Sequence, residues 1–155
     1  MNQHQDRPSG LTKLSYDAFV WLYRLRLGFL FAGHVFVMAH HGRQSGKRYL
    51  SGLERLVRSE GELFVFSSRG RRADWLRNTE AGGVDELWDG RTRYDGAEFR
   101  VLEPDEANDI LTRYEQEQPR YAKRNLPRMM AGYDFTDEMR RELAETGTVV
   151  AFRPG

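Results

Sequence analysis

The chain has 155 residues, 39% of them hydrophobic and 30% charged, with 24 Lys and Arg against 23 Asp and Glu. That length suits one ordinary domain with a real core, and the composition excludes a disordered, collagenous or low-complexity polymer. The absence of cysteine excludes a disulfide scaffold, a thiolate nucleophile, a cysteine zinc site and a thiolate-held iron–sulfur cluster, so redox chemistry requires a bound cofactor.

Residues 1–10 are polar and predict a disordered tail; no apolar core with a small-residue cleavage site follows, which points to a cytoplasmic protein. Over 14–33, Leu14, Ala18, Leu22, Leu25 and Phe29 recur at helical spacing, with Arg24 and Arg26 on the other side, predicting an amphipathic helix. Phe19, Trp21, Tyr23, Leu27 and Leu30 make it more apolar than one buried face requires. Three uses stay open: packing on the domain, covering a ligand, or weak peripheral contact with a membrane surface. The sixteen residues from Leu27 to Gly42 carry no Lys, Arg, Asp or Glu, short of the roughly 20 apolar residues of a spanning helix.

From Val35 the texture changes to short runs rich in Val and Phe between polar, Gly-containing turns, predicting strands at Val35–His40, Tyr49–Val57, Leu63–Ser67, Val84–Trp88 and Ala97–Leu102. The connectors are His41–Arg48, Ser59–Gly61, and the Asp89-Gly90 and Asp95-Gly96 turns. A short helix fits between Asp74 and Glu80. Glu103-Pro104-Asp105-Glu106 opens a second, with Pro early and acids in the first turn, and Ile110, Leu111 and Tyr114 inside. A third runs from Pro119 toward Met130. A fourth starts at the N-cap Thr136, carries Met139 and Leu143 inward and stops at Gly147. Thr148–Phe152 is a closing strand. Clustered strands, then helices, then a returning strand predict one α+β domain over 1–155, a small antiparallel barrel without repeats or linkers.

Charge is unevenly spread: nine bases stand against four acids from Arg43 to Arg77, and seven against eleven from Glu103 to Thr146. A basic first half in a nearly neutral chain suits a small anionic ligand rather than duplex nucleic acid. His40 and His41 point to opposite faces of a strand and lack a carboxylate at ligand spacing, so no metal site is expected. No Gly-x-Ser-x-Gly elbow signals a hydrolase.

The informative segment is His41-Gly42-Arg43-Gln44-Ser45-Gly46-Lys47-Arg48. Glycines, a hydroxyl and a cluster of cations in a tight turn gather backbone N–H groups and positive charge at one spot, which suits phosphate or carboxylate. Arg43 and Lys47 lie in an exposed turn, and their charges are expected to pair only with ligand.

The order strand, Gly-Arg-x-Ser-Gly-Lys, two strands ending in Ser67-Ser68-Arg69-Gly70, then Trp75-x-x-Asn78, resembles the deazaflavin-dependent nitroreductase family, split-barrel oxidoreductases that use coenzyme F420. The resemblance covers roughly Val35 to Leu111 and the Thr148–Pro154 end. It implies a split β-barrel of the FMN-binding type with an N-terminal helix and C-terminal helices. It further implies that Arg43, Ser45, Gly46 and Lys47, with Gln44 and Arg48 in the same turn, hold the cofactor's phosphate and acidic tail. Ser67, Ser68, Arg69 and Gly70 would lie along the deazaflavin, and Trp75 and Asn78 match the element that follows. Gln44 stands where the family often has lysine and Tyr49 where an arginine is usual.

The implied reaction is hydride transfer between reduced deazaflavin and a small apolar electrophile such as a quinone, enone or nitro compound, with Ser68 and Tyr121 or Tyr133 as candidate donors to the developing negative charge. Two further readings remain: a flavin mononucleotide oxidoreductase of the same fold, suited to fewer cations, and a non-catalytic protein that sequesters a cofactor or lipid-like ligand. Related families often pair their sheets as homodimers, so a homodimer is possible here.

Overall fold

The computed structural model describes Trp21, Leu25 and residues 34–155. The predicted tail over 1–10 and helix over 14–33 lie otherwise outside the described residues. Leu25, which the periodicity places on the buried face, is largely exposed, as is Trp21.

Seven strands form one antiparallel sheet: β1 (Val35–His41), β2 (Arg48–Ser59), β3 (Glu62–Ser67), β4 (Glu86–Asp89), β5 (Thr92–Tyr94), β6 (Ala97–Val101) and β7 (Thr148–Pro154), in the order β5-β4-β1-β2-β3-β7-β6. An isolated antiparallel bridge between Val84 and Ala97 links the approach to β4 with β6, and so curls the sheet toward a barrel. Side-chain alternation then divides the core in two. Phe36, Met38, Leu63, Val65, Val150 and Phe152 fill the concave side together with Leu76 and Leu87. Phe64, Val149 and Ala151, on the opposite side of the same strands, pack under the helices against Leu111, Tyr114, Leu126 and Leu143.

Four α-helices are described: α1 (Asp74–Gly82), α2 (Pro104–Glu117), α3 (Pro119–Met129) and α4 (Asp137–Thr146). Pro104 and Pro119 sit at the first turns of α2 and α3, where no N–H partner is lost. Thr136 caps α4 by accepting from the Met139 N–H at 3.3 Å. No helix among the described residues is long and apolar enough to cross a membrane.

One predicted boundary needs correction. Val84 makes only the isolated bridge, and β4 begins at Glu86. The stretch between the two Asp-Gly turns, which the sequence pattern leaves unassigned, is the short strand β5, which pairs Thr92 with Asp89 and Tyr94 with Leu87. In β2 a register shift between Arg55 and Val57 puts a bulge at Leu56. The Leu56 carbonyl accepts from Gln118 Nε2 at 2.6 Å, which ties the bulge to the α2–α3 junction.

Candidate functional site

The β1–β2 turn is held from within. The Gly42 N–H donates to the Lys47 carbonyl and the Gly46 N–H to the Gly42 carbonyl, each at 2.8 Å, with Gly46 at φ +67°, where a side chain would be strained. Ser45 Oγ accepts from the Lys47 N–H at 3.3 Å and shares a 3.2 Å hydrogen bond with the Tyr49 hydroxyl. Tyr49, 45% exposed, lies across the turn, so that a Cβ on Gly42 would fall 2.5 Å from Ser45 Oγ and 2.8 Å from the Tyr49 ring. Both obstacles are ends of side chains with solvent to move into. Gly42→Ala is therefore expected to lower stability by less than about 1 kcal/mol while shifting the Tyr49 ring resonances in an NMR spectrum; an unmoved ring would show that it does not rest on Gly42.

Arg43 departs from expectation. Its N–H donates to Asn78 Oδ1 at 3.1 Å, its Nη1 to the same oxygen at 2.8 Å, and its Nη2 to Asp74 at 3.2 Å. Its charge is thus shared with Asp74 instead of being left for ligand alone. The backbone of the turn is pinned to α1 through Asn78, itself only 6% exposed. Sequence reasoning singled out both Arg43 and Asn78 but not their contact, and it missed Asp74 altogether.

What the turn leaves available is narrower than its composition suggested. The Gly42, Arg43, Gly46 and Lys47 N–H groups all have acceptors, whereas those of Gln44 and Ser45 have none among the described residues. Lys47 carries an exposed ammonium with no partner among the described residues. Arg48 turns away from the site and pairs with Asp85 at 3.4 Å and Glu86 at 3.2 Å. Before α1, Ser67 is buried and its Oγ donates to the Gly70 carbonyl at 2.7 Å, while Gly70 takes φ +59° and opens a 3-10 turn over Gly70–Arg72. That arrangement leaves Ser68 and Arg69 exposed, with no partner for the Ser68 hydroxyl among the described residues. Arg72 and Arg77 likewise have no acid partner among the described residues. Trp75 leans on Phe152 with ring centroids 6.0 Å apart, half-buried against the barrel core.

Beneath Tyr49 lies a feature the sequence did not flag. His40 is buried, its Nε2 is 2.9 Å from Ser51 Oγ, and its ring stacks under Tyr49 at 6.1 Å. Burial, reinforced by neighbouring His41, holds its pKa below the ordinary 6.5, so the imidazole is neutral at physiological pH. His41, one residue on, is exposed and 3.4 Å from Asp85. Among the described residues no group of three His, Asp or Glu is placed to hold a metal ion.

The two tyrosines differ. Tyr133 is buried in the helical layer and donates to Glu115, and burial followed by that bond pushes its pKa well above 10. Its hydroxyl therefore already has an acceptor, which removes it as a donor to ligand. Tyr121 packs its ring, tilted by 34°, on His34 at 4.0 Å beneath the Arg124 guanidinium, and its hydroxyl has no partner among the described residues. Among the described residues no hydrogen bond, ion pair or ring contact joins Tyr121 to the turn.

No protein-family model matches the chain, and no curated protein matches it by sequence. Among solved structures it is similar to an F420-H2 dependent reductase, FDR-A, at 19% identity and TM-score 0.50, over 77% of this chain and 93% of that one. It is also similar to a protein described as a domain-swapped dimer, at 17% identity and TM-score 0.50, over 86% of this chain and 97% of the other. The fold is a split β-barrel: a seven-stranded antiparallel sheet curled on itself, with helices outside.

Proposed function

We propose that the chain is a split-barrel oxidoreductase that binds a deazaflavin of the coenzyme F420 type and reduces a small apolar electrophile, of the quinone, enone or nitro class. The observation that carries this reading is the joint between turn and helix. Arg43 and Asn78, drawn from two separate motifs of the resemblance, meet at 2.8 Å and hold the turn in one place. An F420-H2 dependent reductase among the structures of this fold supports the same reading.

The residues present fit the anionic end of such a group. Among the described residues Lys47 and the Gln44 and Ser45 N–H groups have no partner and are available to hold a phosphate, and the equally unpaired Arg69 and Arg72 stand on the segment that leads into α1, with Arg77 inside α1. When bound, such a cofactor supplies the hydride. The chain's part is to fix the anionic end at Lys47, to keep Ser68 presented by the Ser67–Gly70 bond, and to donate a hydrogen bond from Ser68 to the oxygen that gains negative charge.

One observation favours a second cofactor. The Tyr49 hydroxyl engages Ser45 where a further cation would otherwise reach the ligand, which suits the single phosphate of flavin mononucleotide. Fluorescence titration with F420 and, in parallel, flavin mononucleotide separates the two. Lys47→Ala should weaken the preferred cofactor by roughly tenfold or more, as expected for loss of one charge-assisted contact, with the thermal midpoint unchanged. Neither cofactor binding to the intact chain at micromolar concentration would overturn the reading and leave the sequestering alternative.

A further inference from the structure

The helical layer divides its charges in an unusual way. On α2 and α4 every arginine is paired: Arg113 with Glu117 at 2.8 Å, Arg140 with Glu115 and Asp137 at 2.6 Å each, and Arg141 with Asp105 at 2.6 Å. Helix α3 contains no acid, and its exposed Arg120, Lys123 and Arg128 have no partner among the described residues. Helix α4 shows the reverse, because its exposed Glu138, Glu142 and Glu145 are equally unpaired. Each set follows helical spacing. Positions 120, 123 and 128 share one outward arc of α3, and positions 138, 142 and 145 form a narrower stripe on α4.

The stripes also match in length. At 1.5 Å per residue the cationic one extends about 12 Å and the acidic one about 10 Å. Both helices pack into the same core cluster on one side of the sheet, yet the acids of α4 do not neutralise the bases of α3 within the molecule. A surface carrying complementary stripes on two helices of one layer can meet a copy of itself about a two-fold axis, satisfying both stripes twice.

We propose that the outward faces of α3 and α4 form a self-complementary interface that pairs two copies of this chain, α3 of each against α4 of the other. Sheet pairing, the arrangement expected from related families, plays no part in it. Exposed ion pairs are individually weak and screened by salt, so the dimer is a micromolar, salt-sensitive one. The proposal does not depend on which cofactor the barrel takes.

Sedimentation velocity on the full chain tests it. In low salt the wild type should dimerise at micromolar concentration, and its dissociation constant should rise at least about tenfold in about 0.5 M NaCl. The R120E/K123E/R128E variant, now acidic on both helices, should be monomeric. So should E138K/E142K/E145K, now basic on both. An equimolar mixture of the two variants should recover the dimer, since each then offers the charge the other lacks; recovery also shows that both variants are folded. A monomeric wild type in low salt, a dimer indifferent to both charge reversals, or a mixture that fails to recover would each overturn the proposal, as would binding of anionic vesicles through α3 without self-association.

Discussion

Replacing Glu115 by Ala is expected to lower stability by about 3 kcal/mol, because it removes one member of a nearly buried ion pair and leaves Arg140 with only the fully exposed carboxylate of Asp137. The Arg140 and Glu115 side chains are 11% and 13% exposed and meet at 2.6 Å. Glu115 also accepts from the Tyr133 hydroxyl, so the same substitution orphans a second buried group. For a chain of this size the thermal midpoint should drop by roughly 10 °C or more. Glu115→Gln keeps an oxygen for Tyr133 and loses the charge, and should fall between the variant and the wild type. A calorimetric scan in which both variants melt with the wild type would show that the network carries no stability. The experiment also separates the two tyrosines proposed from sequence, since Tyr133 is here a structural group and its loss should act through folding.

Phe152→Ala is the second large effect, expected to cost about 3–5 kcal/mol through lost burial and the cavity left behind. Phe152 is fully buried at the centre of the concave core, with Phe36, Trp75 and Phe99 rings at 5.8, 6.0 and 6.3 Å. Those neighbours come from β1, the start of α1 and β6, so no single element can shift to fill the space. Trp75 loses the wall it leans on, and tryptophan emission should move to longer wavelength in the folded variant. Chemical denaturation monitored by fluorescence checks both parts; a shift in midpoint of less than about 1 kcal/mol would mean that the rings around Phe152 close over the gap.

Much of the fold was legible because two periods alternate cleanly along the chain. Phe64 and Val65 report opposite faces of β3, and Ile110, Leu111 and Tyr114 report one face of α2, so strands and helices separate without tertiary information. Strand β5 was not legible, because Thr92–Tyr94 offers only three residues between two turns and pairs for lack of any other edge to β4. At the site, residue types pointed to an anion but the pairings could not be read. Arg43 finds its acceptors 31 and 35 residues away, a distance at which neither spacing nor pattern carries information. The same blindness hid Glu115 beneath Tyr133, because a helical stripe shows that a ring is buried without showing what its hydroxyl meets. Residue chemistry was thus visible one side chain at a time, whereas the capacity of the turn for ligand depends on which of its groups the protein has already used.

Strand β7 lies between β3 and β6 and pairs with both, although α2, α3 and α4 separate it from them in sequence. During synthesis, then, the edges of β3 and β6 that β7 joins stay open until β7 has been made, and β3, paired with β2 on its other side, waits for a second neighbour that arrives roughly eighty residues later. Local pairing of β1 with β2 and β4 can proceed meanwhile, so assembly is ordered from the β1 side. The nascent chain carries an apolar β3 edge through that interval, which makes the delay before β7 emerges the stage most open to aggregation and to capture by chaperones.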